Sequence, residues 1–201
     1  MKKTIAFVIG ILFITVSISF AGSEVSGEVV NKAKVEKSAN IALGKGAKAS
    51  MGSVKMKDSK VSGKVVNKAD VKKSANIALG KGSKANMGSV TMQGSEVSGE
   101  VVNKAKVDKS ANIALGKGST ANMGSVAMKD SKVSGKVINK ADVDKSANIA
   151  LGKGSTANMG AVTMKDSKVS GKVINKADIG KSANIAIGKG SEASMGSVTM
   201  E

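Results

Sequence analysis

The side chains with chemistry to offer are lysines and asparagines, and both recur every 36 residues. Three columns keep Lys in five successive positions. They are Lys32, Lys68, Lys104, Lys140 and Lys176; Lys37, Lys73, Lys109, Lys145 and Lys181; and Lys45, Lys81, Lys117, Lys153 and Lys189. Ammonium groups stacked in this way repel one another, so they must project into water or meet an anion. One reading is a solvated face that slows aggregation. The other is adhesion to anionic partners: acidic polysaccharide, cell-envelope polymers such as lipopolysaccharide or teichoic acid, or extracellular DNA. Polycation binding of that kind is salt-sensitive and unspecific in sequence.

Two columns of Asn are equally constant. One is Asn31, Asn67, Asn103, Asn139 and Asn175; the other is Asn40, Asn76, Asn112, Asn148 and Asn184. Ser38, Ser74, Ser110, Ser146 and Ser182 form a third polar column. Stacked amides hydrogen-bond along the stacking direction, whereas Asn and Ser at bends bond to nearby backbone. Asn31 lies in an alternating run, which favours the ladder. For Asn40 both roles stay open.

Composition removes other chemistries. Beyond residue 21 the chain has no Phe, Tyr, Trp, His, Cys, Pro or Arg. The usual zinc, haem and iron–sulfur sites therefore lack ligands. Bases and sugar rings lack a stacking platform. There is no Cys for a disulfide framework. No non-repeating set of acid, base and nucleophile stands out, so neither catalysis nor a cofactor is expected. Two Met columns, one starting at Met51 and one at Met56, suit irregular apolar space. Exposed, they would suit soft Cu(I) instead.

Residues 1–21 read as a secretory signal peptide. Lys2 and Lys3 precede an apolar run from Ile5 to Phe20, and Ser19 and Ala21 fit a cut after Ala21. Secretion to the extracellular space or cell surface follows, with no stable membrane insertion once the leader is gone. The run is short for an uncleaved span, and no Cys is present to carry a lipid. Cleavage takes two Lys and no acid from the formal charge of +17, leaving +15.

The elements that must position these columns come from a strict period. Residues 22–201 hold five units: 23–58, 59–94, 95–130, 131–166 and 167–201. Each contains Ser-Ala-Asn-Ile-Ala-Leu-Gly-Lys-Gly or, at Ser182, its Ile187 variant. Uninterrupted repeats of this length stack into a one-dimensional array. Within a unit, Val25, Gly27, Val29, Asn31, Ala33 and Val35 alternate with mostly polar residues, which is a strand pattern. The alternation is expected to resume inward at Ala39, Ile41 and Leu43, to turn at Gly44-Lys45-Gly46, and to continue through Ala47, Ala49, Met51, Val54 and Met56. That gives three or four short strands per unit. A helical repeat is opposed by four or five Gly per unit, each costing about 1 kcal/mol in a helix. Disorder of the isolated chain is the other rival, favoured by charge and small residues and opposed by the fixed apolar phase. The fold expected is all-β, a parallel β-solenoid. Whether 36 residues make one coil or two is open.

Charge adds a register signal. Glu24, Lys60, Glu96, Lys132 and Lys168 share a column, as do Glu28, Lys64, Glu100, Lys136 and Lys172, and Lys34, Asp70, Lys106, Asp142 and Asp178. The first four copies alternate in sign in all three. Stacked copies would thus pair opposite charges, although duplication of a 72-residue block would also produce the pattern.

Asn31-Lys32-Ala33-Lys34-Val35, followed by Ser38-Ala39-Asn40-Ile41-Ala42, resembles the repeats of bacterial functional amyloids, the curli and Fap-type biofilm fibres. The resemblance covers 23–201 as a pattern; the chain departs from it in its many Lys and its single Gln93. It implies a secreted subunit that polymerises head to tail with copies of itself. Asn40-Ile41-Ala42-Leu43-Gly44 is similar to the head repeats of trimeric autotransporter adhesins, but no coiled-coil stalk or membrane barrel accompanies it. The last unit keeps apolar residues at Val169, Val173, Ile187, Met195, Val198 and Met200, as though open to further stacking. The alternative is a monomeric module that binds anionic polysaccharide or extracellular DNA without polymerising. Ice binding through Thr91, Thr163 and Thr199 is a third reading, broken by Lys55 and Ala127 in the same column.

Overall fold

Alternating residues with β-branched Val on one side make strands that are half in water and half in a core. The computed structural model describes residues 17–200. It is an all-β parallel solenoid in which each 36-residue unit closes a single coil, and no helix occurs among the described residues. The first strand, β1 (Ile18–Ala21), precedes the first full coil. That coil contains β2 (Glu24–Val25), β3 (Val29–Glu36), β4 (Ala39–Leu43), β5 (Lys48–Met51) and β6 (Val54–Lys57). Five strands per coil replace the three or four expected. Parallel strands need a long connection, and here the rest of the coil supplies it.

Every strand pairs with its counterpart one coil away, in parallel and in register. Val29 faces Val65, Asn31 faces Asn67, and Val101 faces Val137. The described residues form five such sheets wrapped around one core. The core narrows across the coil. At the wide end Val25, Val29, Val54 and Met56 and their equivalents pack together. In the middle lie Ala33, Val35 and Met51. At the narrow end only Ala42 and Ala49 and their equivalents meet. Both Met columns are therefore core through residue 166: Met51, Met87, Met123 and Met159 have no exposure, and Met56, Met92, Met128 and Met164 at most 3%. Each such side chain contributes about 1.5–3 kcal/mol on burial.

The inward phase expected after residue 38 is corrected. In the inner coils β4 buries Asn76 and Ala78 completely and leaves Ala75, Ile77 and Leu79 on the other side. Ala39, Ile41 and Leu43 thus face outward, and so does Ile187. The cause is the corner before β4. Lys37 has φ 51°, and Lys73, Lys109 and Lys145 repeat it at 48–49°. A left-handed residue at that corner breaks the strand, and the alternation restarts one residue out of step.

The corner after β4 requires glycine. Gly80, Gly116 and Gly152 have φ of 131–134°, and a Cβ there would run into the carbonyl oxygen of the equivalent Gly one coil earlier.

The stacked array also starts earlier than the repeat boundaries suggest. β1 pairs with β6, Ile18 opposite Val54 and Ala21 opposite Lys57. Ser17 Oγ accepts from the Ser53 N–H at 3.4 Å. Ile18–Ala21 thus takes the place of one more strand in the sheet of β6, with Ser17 aligned on Ser53 and Ser89 and Gly22 on Gly94. The part of the signal peptide expectation that concerns residues 1–16 lies outside the described residues.

Candidate functional site

The two constant Asn columns are continuous amide ladders. Asn31 Nδ2 donates to Asn67 Oδ1 at 2.8 Å, and the series continues through Asn103, Asn139 and Asn175 at 2.9 Å. Asn40 donates to Asn76 at 3.1 Å, and Asn112, Asn148 and Asn184 follow at 2.8 Å. Each ladder also ties two parts of the coil together. Asn139 Nδ2 reaches Gly160 O (3.1 Å) at the corner between the β5 and β6 sheets. Asn76 Nδ2 reaches Asn86 O (3.0 Å) and Ala49 O (3.1 Å) on the opposite β5 sheet. The narrow Ala-lined core makes that reach short enough. Buried polar groups are tolerated when their partners are present, and these amides find partners both along and across the solenoid.

Ser38 and its equivalents do both jobs that their residue type allows. The Ser74 N–H donates to Ser110 Oγ (3.2 Å), while Ser74 Oγ donates to Lys72 O (2.7 Å). The column is a ladder and a turn at once.

The lysines of the three constant columns are all exposed. The column from Lys32 stands on the outer face of the β3 sheet. The column from Lys37 occupies the left-handed corner before β4, and the column from Lys45 the glycine corner after it. At about 4.8 Å between coils, five such ammonium groups span roughly 19 Å. A groove of about 1040 Å³ runs along the β3 sheet between the column of Lys32 and that of Lys34, Asp70, Lys106, Asp142 and Asp178. A second, of about 1000 Å³, follows the corner lined by Lys37, Ser38 and Ala39 and their equivalents.

The alternating-sign columns sit coil on coil. Lys64 meets Glu100 at 3.7 Å and Lys106 meets Asp142 at 3.8 Å. Glu24, Lys60, Glu96 and Lys132 follow one another in register. These pairs are exposed, so each contributes about 0.2–1 kcal/mol.

Three features were not singled out from sequence. Asn86, Asn122 and Asn158 form a third buried ladder on the β5 sheet, Asn122 Nδ2 donating to Asn86 Oδ1 and Asn158 Nδ2 to Asn122 Oδ1, both at 3.1 Å. Its polarity is opposite to that of the other two. Ser50 and Ser194 flank it, and Asn158 Oδ1 is buried without a partner. The signal was an Asn in three of five copies. Lys48, Lys55 and Lys84 form a cluster confined to the first two coils. Burial, the Lys48 side chain and the charges of Lys48, Lys84 and Lys57 push Lys55 down to about 8. Burial and the charges of Lys48 and Lys129 also lower Lys84. Later copies place Thr, Ala or Glu there, a change legible in the sequence. The outward Ile and Leu of β4 are the third feature.

No family model, curated protein or solved structure matches this chain. Its function is read from the geometry of its surfaces and edges.

Proposed function

We propose that the chain is a secreted structural protein that stacks end to end into an extracellular fibre or biofilm-matrix component. It acts without catalysis or cofactor, and its exposed lysines hold anionic polysaccharide, cell-envelope polymer or extracellular DNA. The observation that carries the reading is the sameness of every step. Each coil docks on the next through the same strands, amide ladders and apolar columns. In the coil 167–200, Met195, Val198 and Met200 are 45%, 43% and 62% exposed, whereas Met159, Val162 and Met164 one coil inward are 0–3% exposed. A second copy whose first coil lies on them would extend all five sheets in register. The interface is head to tail and does not close. An open parallel edge is a template for such pairing.

β1 occupies the place on β6 that the Val198–Met200 strand of a second copy would take. Cleavage after Ala21 removes β1 and frees that edge, so export and assembly are coupled in this scheme. The test is incubation of the processed chain at high concentration. Fibres with a meridional reflection near 4.7–4.8 Å are expected. A β-rich chain that stays monomeric for days would refute assembly and leave the solitary polyanion-binding module.

A further inference from the structure

The outer side of the β4 sheet is apolar on a chain rich in exposed lysine. Asn40 and Ala42 and their equivalents turn inward, so the other side presents Ala, Ile and Leu in four coils and Ala, Ile and Ile in the last. Ile41 and Leu43 of the first coil are 59% and 70% exposed and Ile187 of the last is 61% exposed, while Ile77, Leu79, Ile113, Leu115, Ile149 and Leu151 between them are half-buried. Some outward positions drift between copies, as Lys48, Lys84, Thr120, Thr156 and Glu192 do, while the three Lys columns stay constant. The two β4 positions do not drift either. One is Ile in all five copies, and the other is Leu four times and Ile once. No acid lies among them. The column of Lys37 borders the face on one side and the column of Lys45 on the other.

Five strands of five residues cover roughly 400 Å² at about 4.8 Å between strands and 3.3 Å per residue. That exceeds a scatter of surface aliphatics and falls in the range of functional patches. It is about half of the roughly 800 Å² per partner that a stable protein–protein interface buries. A second copy laid on the same face would also set Lys rows against Lys rows. An anionic lipid surface has neither fault. It accepts aliphatic side chains between its head groups and presents phosphates to flanking Lys, as it does for an amphipathic helix lying in the interface.

We propose that the β4 face is a membrane-surface docking site: Ile and Leu enter the head-group boundary of an anionic lipid layer, and the Lys37 and Lys45 columns engage its phosphates. The solenoid lies on the surface and does not cross it. The inference uses the Lys columns of the proposed function but does not depend on fibre assembly.

The test compares the processed chain with a variant carrying Thr at Ile77, Leu79, Ile113, Leu115, Ile149 and Leu151. Thr keeps the strand preference, and circular dichroism and retention on immobilised heparin serve as controls. Co-sedimentation is measured with vesicles of phosphatidylcholine alone and with 30% phosphatidylglycerol. The expected result is binding to the anionic vesicles only, at least tenfold weaker in the variant, with heparin retention unchanged. A variant that binds anionic vesicles as well as the parent does would overturn the proposal in favour of Lys attraction alone. Equal binding to neutral vesicles, or none to either, overturns it too. So does a soluble dimer of the parent that the variant abolishes, which would make a second copy the occupant. A parent chain that binds the anionic vesicles but is not retained on heparin would remove the polyanion reading and leave this one standing.

Discussion

Replacing Asn112 by Ala removes the middle of an amide ladder, and its cost follows from the partners left behind. Asn112 has no exposure. Its Nδ2 lies 2.8 Å from Asn148 Oδ1, 3.0 Å from Ala85 O and 3.1 Å from Asn122 O, and its Oδ1 accepts from Asn76 at 2.8 Å. After the change, the buried Asn148 Oδ1 loses the donor that Asn112 supplies. An orphaned buried acceptor costs about 1–3 kcal/mol, and each hydrogen bond lost with it about 1 kcal/mol. With the bonds to Ala85 O, Asn122 O and Asn76 also lost, the sum is about 4–6 kcal/mol. Asn184→Ala is the matched control. Asn184 ends the same ladder, half-buried; it accepts from Asn148 and donates to Ala157 O and Ser194 O. Without it, Asn148 Nδ2 keeps Ala121 O and Asn158 O. No buried acceptor in the ladder is orphaned, and losing the bonds to Asn148, Ala157 O and Ser194 O costs about 3 kcal/mol. For a chain of this size 1 kcal/mol is about 2–4 °C in Tm. The central change should therefore lower Tm by about 8–24 °C and the terminal one by about 6–12 °C. Both are measured by circular dichroism on unassembled protein at low concentration. Equal losses at the two sites, or less than about 2 °C at Asn112, would refute the ladder as a structural device.

Three further outcomes can be checked with the same measurement. Ser194→Asn places a donor one coil beyond the partnerless Asn158 Oδ1 and should raise Tm by about 2–4 °C; no gain would mean that the third ladder does not propagate. Glu100→Lys removes the ion pair with Lys64 and joins two Lys neighbours in one column, so it should cost up to about 1 kcal/mol at low salt, with much of that recovered at 1 M salt. A loss that salt does not relieve would exclude charge as its cause. Lys55 binds its proton less tightly folded, near 8, than unfolded, near 10.5. Its penalty is therefore full below pH 8, shrinks as pH rises from about 8 to 10.5, and is absent above that. Lys55→Gln should flatten the rise of Tm across that window, and an unchanged slope would place the titration elsewhere.

The sequence alone determined the repeat and much of what stacks. A 36-residue period without insertion leaves each residue only its own equivalents as neighbours along the array. The alternation from Val25 to Val35 then assigns one face of β3 to the core, because a strand's side chains alternate with period two. The columns of Asn31 and Lys32 follow from those two facts. The tertiary structure decided how the coil closes. Nothing local distinguishes one coil of 36 residues from two of about 18; that depends on whether opposite sheets can meet across a common core, which is a long-range property. It also decided the phase of β4. Hydrophobicity favours Ile41 and Leu43 for the interior, yet the wall they would enter has room only for Ala42 against Ala49 and for an Asn that reaches the opposite backbone. Lys37 at positive φ makes that choice possible, and no feature of a Lys residue announces it. The same holds for Ile18–Ala21. Its apolar composition groups it with the leader, and only pairing with Val54–Lys57 shows that it also fits the strand edge of the solenoid.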